Sequence, residues 1–211
     1  MFKNLWKSYR KKIEKGYRKF RSGIHNRSVI RRWNKAGRPY PSPHEYKQEI
    51  IKKYGERYNL DTLIEAGTYL GDMVSVLQDS FLRIFSIELN IDHYLNAKEK
   101  FYLLEHVEII KGESGEQISI LLRDINKPAL FWLDTHAWLE KGLSNFSILE
   151  EIKSILAAKP QHVILINDAR LFNSESGYPS LIGLRNYIAE LRPEYQFEVE
   201  DDIIRVVGTL N

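Results

Sequence analysis

Short apolar runs alternate with helix-like amphipathic segments from residue 60 to the end of the chain. The apolar runs predict five strands, which cover residues 63–66, 83–89, 107–111, 129–134 and 162–167. The helices predicted after them cover residues 72–80, 91–104, 115–124, 144–158 and 180–191. Two last strands, 195–199 and 203–208, are joined by a connection short enough for an antiparallel hairpin. This order predicts an α/β fold: a doubly wound, mostly parallel sheet with a C-terminal antiparallel hairpin.

Residues 1–40 follow a different pattern, that of a basic amphipathic helix and a linker. Apolar side chains recur there at spacings of three and four and so share one helix face: Phe2, Trp6, Tyr9, Ile13, Tyr17, Phe20 and Ile24. The net charge of this segment is +13, whereas the net charge of the rest of the chain is −10. A break rich in Pro and Gly at 34–43 separates the two parts. We therefore predict an N-terminal basic amphipathic helical arm with its linker over 1–40, and a domain over 41–211 that begins with a helix at 43–57.

An aromatic stripe surrounded by basic side chains is typical of helices that lie in a membrane interface. We therefore expect residues 1–24 to bind an anionic membrane surface. The same pattern also suits packing on the domain or within a homo-oligomer, binding of RNA or another polyanion, or an organelle transit peptide. Binding of nucleic acid is disfavoured because acidic residues predominate among those that follow the predicted strands.

Composition removes several classes of protein. The 211 residues include no cysteine, which excludes a disulfide scaffold, a cysteine-based zinc site, an iron–sulfur cluster and a thiol nucleophile. The longest apolar runs are about five residues, whereas a membrane-spanning helix needs about 20. We expect a cytoplasmic protein that can attach peripherally to a membrane.

Glycine and acidic residues follow the predicted strands, at the edge of the sheet where such folds bind ligands. The turn over 65–71 contains Gly67 and Gly71, a spacing that matches neither a dinucleotide-binding turn nor a nucleoside-triphosphate loop. Glu88 stands about 20 residues later, where an acid can accept hydrogen bonds from both ribose hydroxyls. Glu113 and Ser114 follow the third strand and suit either an adenine edge or a helix cap.

The candidate catalytic, metal-binding and substrate-binding residues follow the fourth and fifth predicted strands. Asp134 can hold an ammonium group or, together with Asp168, a Mg²⁺ ion. His136 suits a general base but also a structural histidine. Arg170 suits an anionic group of the substrate, or an ion pair with Asp168.

The order of these motifs resembles the class I S-adenosylmethionine-dependent methyltransferases, over residues 60 to 210. The closing hairpin matches this superfamily as well. A closer similarity is to a bacterial methyltransferase-like group associated with surface polysaccharides, and it rests on residues 65–74, 131–136, 163–172, 178–181 and 201–205. The layout is also similar to that of metal-dependent sugar O-methyltransferases.

The resemblance implies a Rossmann-like domain that binds S-adenosylmethionine. The implied cofactor-binding residues are Glu65, Gly67, Thr68, Gly71, Glu88, Glu113 and Ser114. Asp134, His136 and Asp168 would face the methyl acceptor, with Arg170 binding the substrate. The implied reaction is O-methylation of a sugar or lipid-linked glycan; an RNA methyltransferase and an inactive scaffold of the same fold are the alternatives.

Three positions depart from the pattern of that group. Asn167 stands where we expect Asp, which removes one charge from a two-carboxylate Mg²⁺ site. Glu113 replaces an expected Asp, and residues 137–141 replace a Gly-rich stretch. The acceptor pocket is therefore expected to differ from that of the group.

Overall fold

The computed structural model describes residues 25–134, 146–174 and 177–209. The chain divides into two compact units, Met1–Glu49 and Ile50–Asn211. In the first unit, helix α1 covers 25–35. Its Trp33 is buried against Tyr46, with ring centroids 4.6 Å apart, and the indole N–H donates to the Pro39 carbonyl over 2.8 Å. Of the basic arm and linker predicted over 1–40, residues 1–24 lie outside the described residues.

The second unit is an α/β domain. Its strands are β1 Thr62–Ala66, β2 Arg83–Glu88, β3 Val107–Lys111, β4 Leu130–Leu133, β5 Val163–Ile166, β6 Gln196–Glu200 and β7 Ile203–Val207. Helix α2, His44–Arg57, begins in the first unit and ends in the second. The further helices are α3 Asp72–Leu77, α4 Ile91–Phe101, α5 Ser114–Leu121, α6 Phe146–Ala157 and α7 Leu181–Leu191, with a 3₁₀ turn at Ala169–Leu171.

The described strands form one sheet in the order β3-β2-β1-β4-β5-β7-β6. The pairs among β1 to β5 are parallel, and β7 pairs antiparallel with both β5 and β6. This is the Rossmann-like, mostly parallel sheet with a C-terminal hairpin that the sequence predicts. The order reverses between β1 and β4, which places the topological switch point, where such sheets bind ligands, beside Glu65 and Asp134.

Strand alternation gives the sheet two buried faces. One face carries Ile64, Phe131 and Ile164 into a core with residues of α5, α6 and α7, such as Ile152 and Ile188. The other face carries Leu63, Trp132 and Leu165, all fully buried. On that face Arg205 of β7 lies 5.8 Å from the ring of Tyr54 in α2. Burial of both faces explains why these strands are continuous apolar runs.

None of the described helices combines the length and the apolar composition needed to cross a bilayer.

Candidate functional site

The carboxyl ends of the parallel strands bring the predicted positions to one edge of the sheet. Backbone hydrogen bonds join their loops in pairs: Gly112 N–H donates to Glu88, Asp134 N–H donates to Ala66, and Asn167 N–H donates to Leu133, over 2.9 to 3.1 Å. The loops that follow β1 to β5 are therefore neighbours. Predicted residues that are up to about 100 positions apart in sequence thus share one edge.

The turn after β1 has a backbone that its glycines make possible. Gly67 and Gly71 have φ angles of 103° and 70°, in the left-handed region that glycine adopts without strain. A Cβ atom at Gly71 would stand 2.6 Å from the Phe101 ring of α4. Lys100 of the same helix donates to the Leu70 carbonyl over 2.8 Å. The turn is thus held closely against α4.

Glu88 ties this turn to the end of β2. One carboxylate oxygen accepts the Tyr69 backbone N–H over 2.8 Å, and the other accepts the Asn90 N–H over 2.6 Å. Tyr69 has a φ of 48°, a left-handed conformation that is uncommon for a residue with a side chain and that points its N–H at Glu88. Because a carboxylate oxygen can accept two hydrogen bonds, these contacts do not prevent binding of ribose hydroxyls.

Glu65 lies below the turn as a buried acid. The Ser86 hydroxyl donates to it over 2.5 Å, which leaves the Thr68 hydroxyl to donate to Ser86 over 2.6 Å. Burial raises the pKa of Glu65 to about 8, and the charges of Asp134 and Glu88 add to the effect. Glu65 and Thr68 therefore form a polar link between β1, β2 and the turn.

Glu113 and Ser114 begin α5. The Glu113 carboxylate accepts the Glu116 N–H over 2.9 Å, so it caps the helix, which is one of the two roles that the sequence left open. Ser114 is buried beside Glu151 of α6. Burial raises the pKa of Glu151 to about 8; the Ser114 hydroxyl opposes this rise, and the charge of Glu113 adds to it. No sequence pattern marks Glu151 as part of this site, because it lies within α6 and not after a strand.

A chain of polar contacts runs along the ends of β4 and β5. The Asn167 amide donates to Asp134 over 3.0 Å and to Asp168 over 3.1 Å. The Arg170 guanidinium donates to Asp168 over 2.7 Å and also to Asp202, whose other oxygen accepts the Arg170 backbone N–H over 2.9 Å. The Asp168–Arg170 ion pair is the second of the two alternatives given for Arg170 in the sequence.

The donor set at this end does not fit the Mg²⁺ site that the sequence suggested. Both oxygens of Asp168 accept N–H groups, from Asn167 and Arg170, and Asp168 is fully buried. Among the described residues, no group of three His, Cys, Asp or Glu side chains is arranged to hold a metal ion. His136 lies outside the described residues, as does segment 137–141, which replaces the expected Gly-rich stretch. The role predicted for His136 therefore stays a prediction.

Sequence reasoning gave no role to two further residues of this edge. Asp202 belongs to the turn between β6 and β7 and is buried. Tyr178 is buried beside Phe172, with ring centroids 5.1 Å apart. Burial raises the pKa of Tyr178 to about 12, and the charges of Asp168, Glu151 and Asp134 add to the effect. Both residues stand in motifs that carry the resemblance, but only their contacts in the fold reveal what they face.

Comparison with solved structures finds methyltransferases. An O-methyltransferase from Bacillus cereus in complex with S-adenosylhomocysteine (SAH) is 16% identical, with a TM-score of 0.56 over 87% of this chain and 90% of its own. The SAH-bound methyltransferase PaMTH1 from Podospora anserina is 12% identical, with a TM-score of 0.56 over 86% and 87%. The methyltransferase domain of bacterial CtHen1 is 10% identical, with a TM-score of 0.53 over 77% and 97%.

These similarities show that the chain has the Rossmann-like methyltransferase fold. No protein-family model matches the chain, and no curated protein matches it. What the site binds must therefore be inferred from its own chemistry.

Proposed function

We propose that the chain is an S-adenosylmethionine-dependent O-methyltransferase. The observation that carries this proposal is that two acids, Glu88 at the end of β2 and Asp134 directly after β4, lie beside the glycine turn of a methyltransferase-fold sheet. S-adenosylmethionine carries a sulfonium and an ammonium group, and acidic side chains complement these positive charges. A nucleoside triphosphate would instead be repelled.

The turn and the strand-end acid suit different parts of this ligand. Glu88 can accept hydrogen bonds from the ribose hydroxyls while it keeps the Tyr69 and Asn90 N–H groups in place. The two glycines let the backbone come close to the methionine part. Glu113 and Ser114, at the start of α5, are proposed to line the adenine.

The acceptor end is formed by the residues after β4 and β5. When bound, S-adenosylmethionine would supply an electrophilic methyl group to an acceptor oxygen. The residues of the chain must then hold the acceptor hydroxyl in line and take its proton. Asp134 is suited to orient that hydroxyl because its carboxylate lies at the sheet edge and is half-buried. His136 is proposed as the base.

A sugar or glycan hydroxyl is the acceptor that we propose. The resemblance of residues 131–136 and 163–172 to the polysaccharide-associated group supports this choice. The basic N-terminal segment supports an acceptor at an anionic membrane surface, such as a lipid-linked glycan. The exposed residues Arg27, Arg31, Arg32 and Lys35 of α1 extend the basic character into the described part of that segment.

Calorimetry with SAH tests the cofactor. We expect the wild type to bind SAH and Glu88→Gln to bind it about 10- to 100-fold more weakly, since hydrogen bonds to a charged group contribute about 1.5 to 3 kcal/mol. Glu108→Gln is the matched control, because Glu108 is exposed on the neighbouring strand β3 and should leave binding unchanged. A folded wild type that does not bind SAH would refute the proposal and favour the scaffold alternative.

A further inference from the structure

Within the part of the chain that the structure describes, the contacts at the acceptor end join two buried acids to one cation. Asp168 is 0% exposed and Asp202 is 2% exposed. Carboxylates this deeply buried need a positive partner, because an unpaired buried charge is strongly unfavourable. The Arg170 guanidinium contacts both of them. Arg170 is therefore the positive charge that the fold itself places between these acids.

The arginine is held from its backbone as well as from its side chain. Asp202 accepts the Arg170 N–H at one carboxylate oxygen and the guanidinium at the other. The Asp202 carbonyl also accepts the Ala169 N–H over 2.9 Å. Asp202 has a φ of 66°, so the hairpin turn bends in the left-handed region to present these groups. The hairpin thus fixes the guanidinium in one position beside Asp168.

The Asn167 amide is a further donor to these acids. Its Nδ2 atom lies between the Asp134 and Asp168 carboxylates, 3.0 and 3.1 Å from an oxygen of each. An amide nitrogen cannot ligate a metal ion, and a divalent cation beside Asp168 would also lie close to the Arg170 charge. The side chains thus satisfy by themselves the carboxylates that a cation would otherwise bind.

We propose that Arg170 is the resident cation of the acceptor end, held there by Asp202 as a positioning residue, and that methyl transfer at this site needs no divalent metal ion. The statement about methyl transfer rests on the proposed function; the statement about the cation concerns this chain alone. Removing the guanidinium takes away the cation that contacts both Asp168 and Asp202. A divalent metal ion should then bind to these carboxylates in its place.

Mn²⁺ binding, followed by the electron paramagnetic resonance signal of the free ion, tests this proposal without any turnover. We expect the wild type to leave Mn²⁺ free, and Arg170→Met to bind it at least about tenfold more tightly. Arg170→Lys is the matched control, since it keeps the charge and should behave like the wild type. Excess Mg²⁺ should displace the Mn²⁺ from Arg170→Met, and a second change, Asp168→Asn, should abolish the binding.

Two results would overturn the proposal. One is Mn²⁺ binding by the wild type that disappears in Asp168→Asn, a measurement that does not depend on how Arg170→Met folds. The other is a folded Arg170→Met, checked by circular dichroism, that gains no affinity. SAH calorimetry on the same wild-type sample distinguishes failure of this proposal from failure of the proposed function. If the wild type binds both Mn²⁺ at Asp168 and SAH, the proposal about Arg170 is wrong and the proposed function stands.

Discussion

At the scale of single residues, His162, which directly precedes β5, should make the free energy of unfolding depend on pH in the acidic range. It is fully buried, and its Nδ1 atom accepts the Ala129 N–H over 3.2 Å. Burial lowers the pKa of His162 to about 4. Because the unfolded chain takes up this proton near pH 6.5, the unfolded state binds more protons between about pH 6.5 and 4. The free energy of unfolding should therefore fall by about 3 kcal/mol as the pH falls through this interval.

His162→Asn tests this contribution. Its amide oxygen can still accept the Ala129 N–H, but the side chain takes up no proton in this range. We expect a variant that is less stable at neutral pH, because it is smaller, and whose stability decreases less on acidification. Urea unfolding at several pH values across the interval measures this. The exposed His44 supplies the control His44→Asn; equal pH dependence in wild type and His162→Asn would contradict the assignment.

The sequence predicted which residues reach the site better than it predicted their partners. The glycine turn, Glu88, Glu113, Asp134 and Asp168 are recognisable because each stands at, or within about three residues of, the end of a predicted strand. The contacts of Arg170 with Asp202 join positions 32 residues apart across the hairpin, and those of Asn167 with Asp134 join positions 33 apart. No local pattern encodes such pairs, so the sequence is compatible with both a metal site and an ion pair at Asp168.

At the scale of elements, the contact between α5 and α6 encloses an acid that lowers stability at high pH. Ser119 and Ser154 hydrogen-bond across the two helices over 3.0 Å, and Glu151 is fully buried. Burial raises the pKa of Glu151 to about 8. The unfolded chain loses this proton near pH 4.5, whereas the folded chain keeps it up to about pH 8. The unfolded state therefore binds fewer protons in between, and stability falls as the pH rises.

Glu151→Gln should remove this loss. Gln is nearly isosteric and carries no titrating proton, so the stability of the variant relative to the wild type should rise by roughly 5 kcal/mol between about pH 4.5 and 8. Denaturant unfolding at both ends of the interval measures the difference. Glu150→Gln is the control, because the Glu150 side chain is 64% exposed and forms a surface ion pair with Lys153. A Glu151→Gln variant that tracks the wild type at every pH would show that the carboxyl is solvated.

The elements themselves follow closely from the sequence. The strand predicted over 107–111 coincides with β3, and the other described strands differ from their predictions by one residue at most at either end. Helix ends shift by up to about three residues, as for α4, which stops at Phe101 and not at 104. The 3₁₀ turn Ala169–Leu171 was not predicted, because it depends on the Ala169 and Arg170 bonds to Asp202.

At the scale of the whole chain, the uneven distribution of charge gives the last prediction. Residues 1–40 carry a net charge of +13 and the remaining residues a net charge of −10. Attraction to an anionic surface should therefore be confined to the N-terminal segment. Within α1, burial of Trp33 against Tyr46 fixes the helix on its apolar side, and the basic residues Arg27, Arg31, Arg32 and Lys35 are exposed. We expect sedimentation with anionic lipid vesicles and not with neutral ones.

Changing those four residues to Gln should weaken vesicle binding strongly, since each basic side chain near an anionic leaflet contributes about 1 kcal/mol. Deleting residues 1–24 should weaken it further. The matched control changes four exposed lysines of the second unit to Gln and thus removes the same charge: Lys98, Lys127, Lys153 and Lys159. If both quadruple variants lose binding equally, net charge and not the N-terminal segment is responsible. If the wild type ignores vesicles but binds RNA with a steep salt dependence, the basic segment serves a nucleic-acid substrate, and the membrane proposal is wrong.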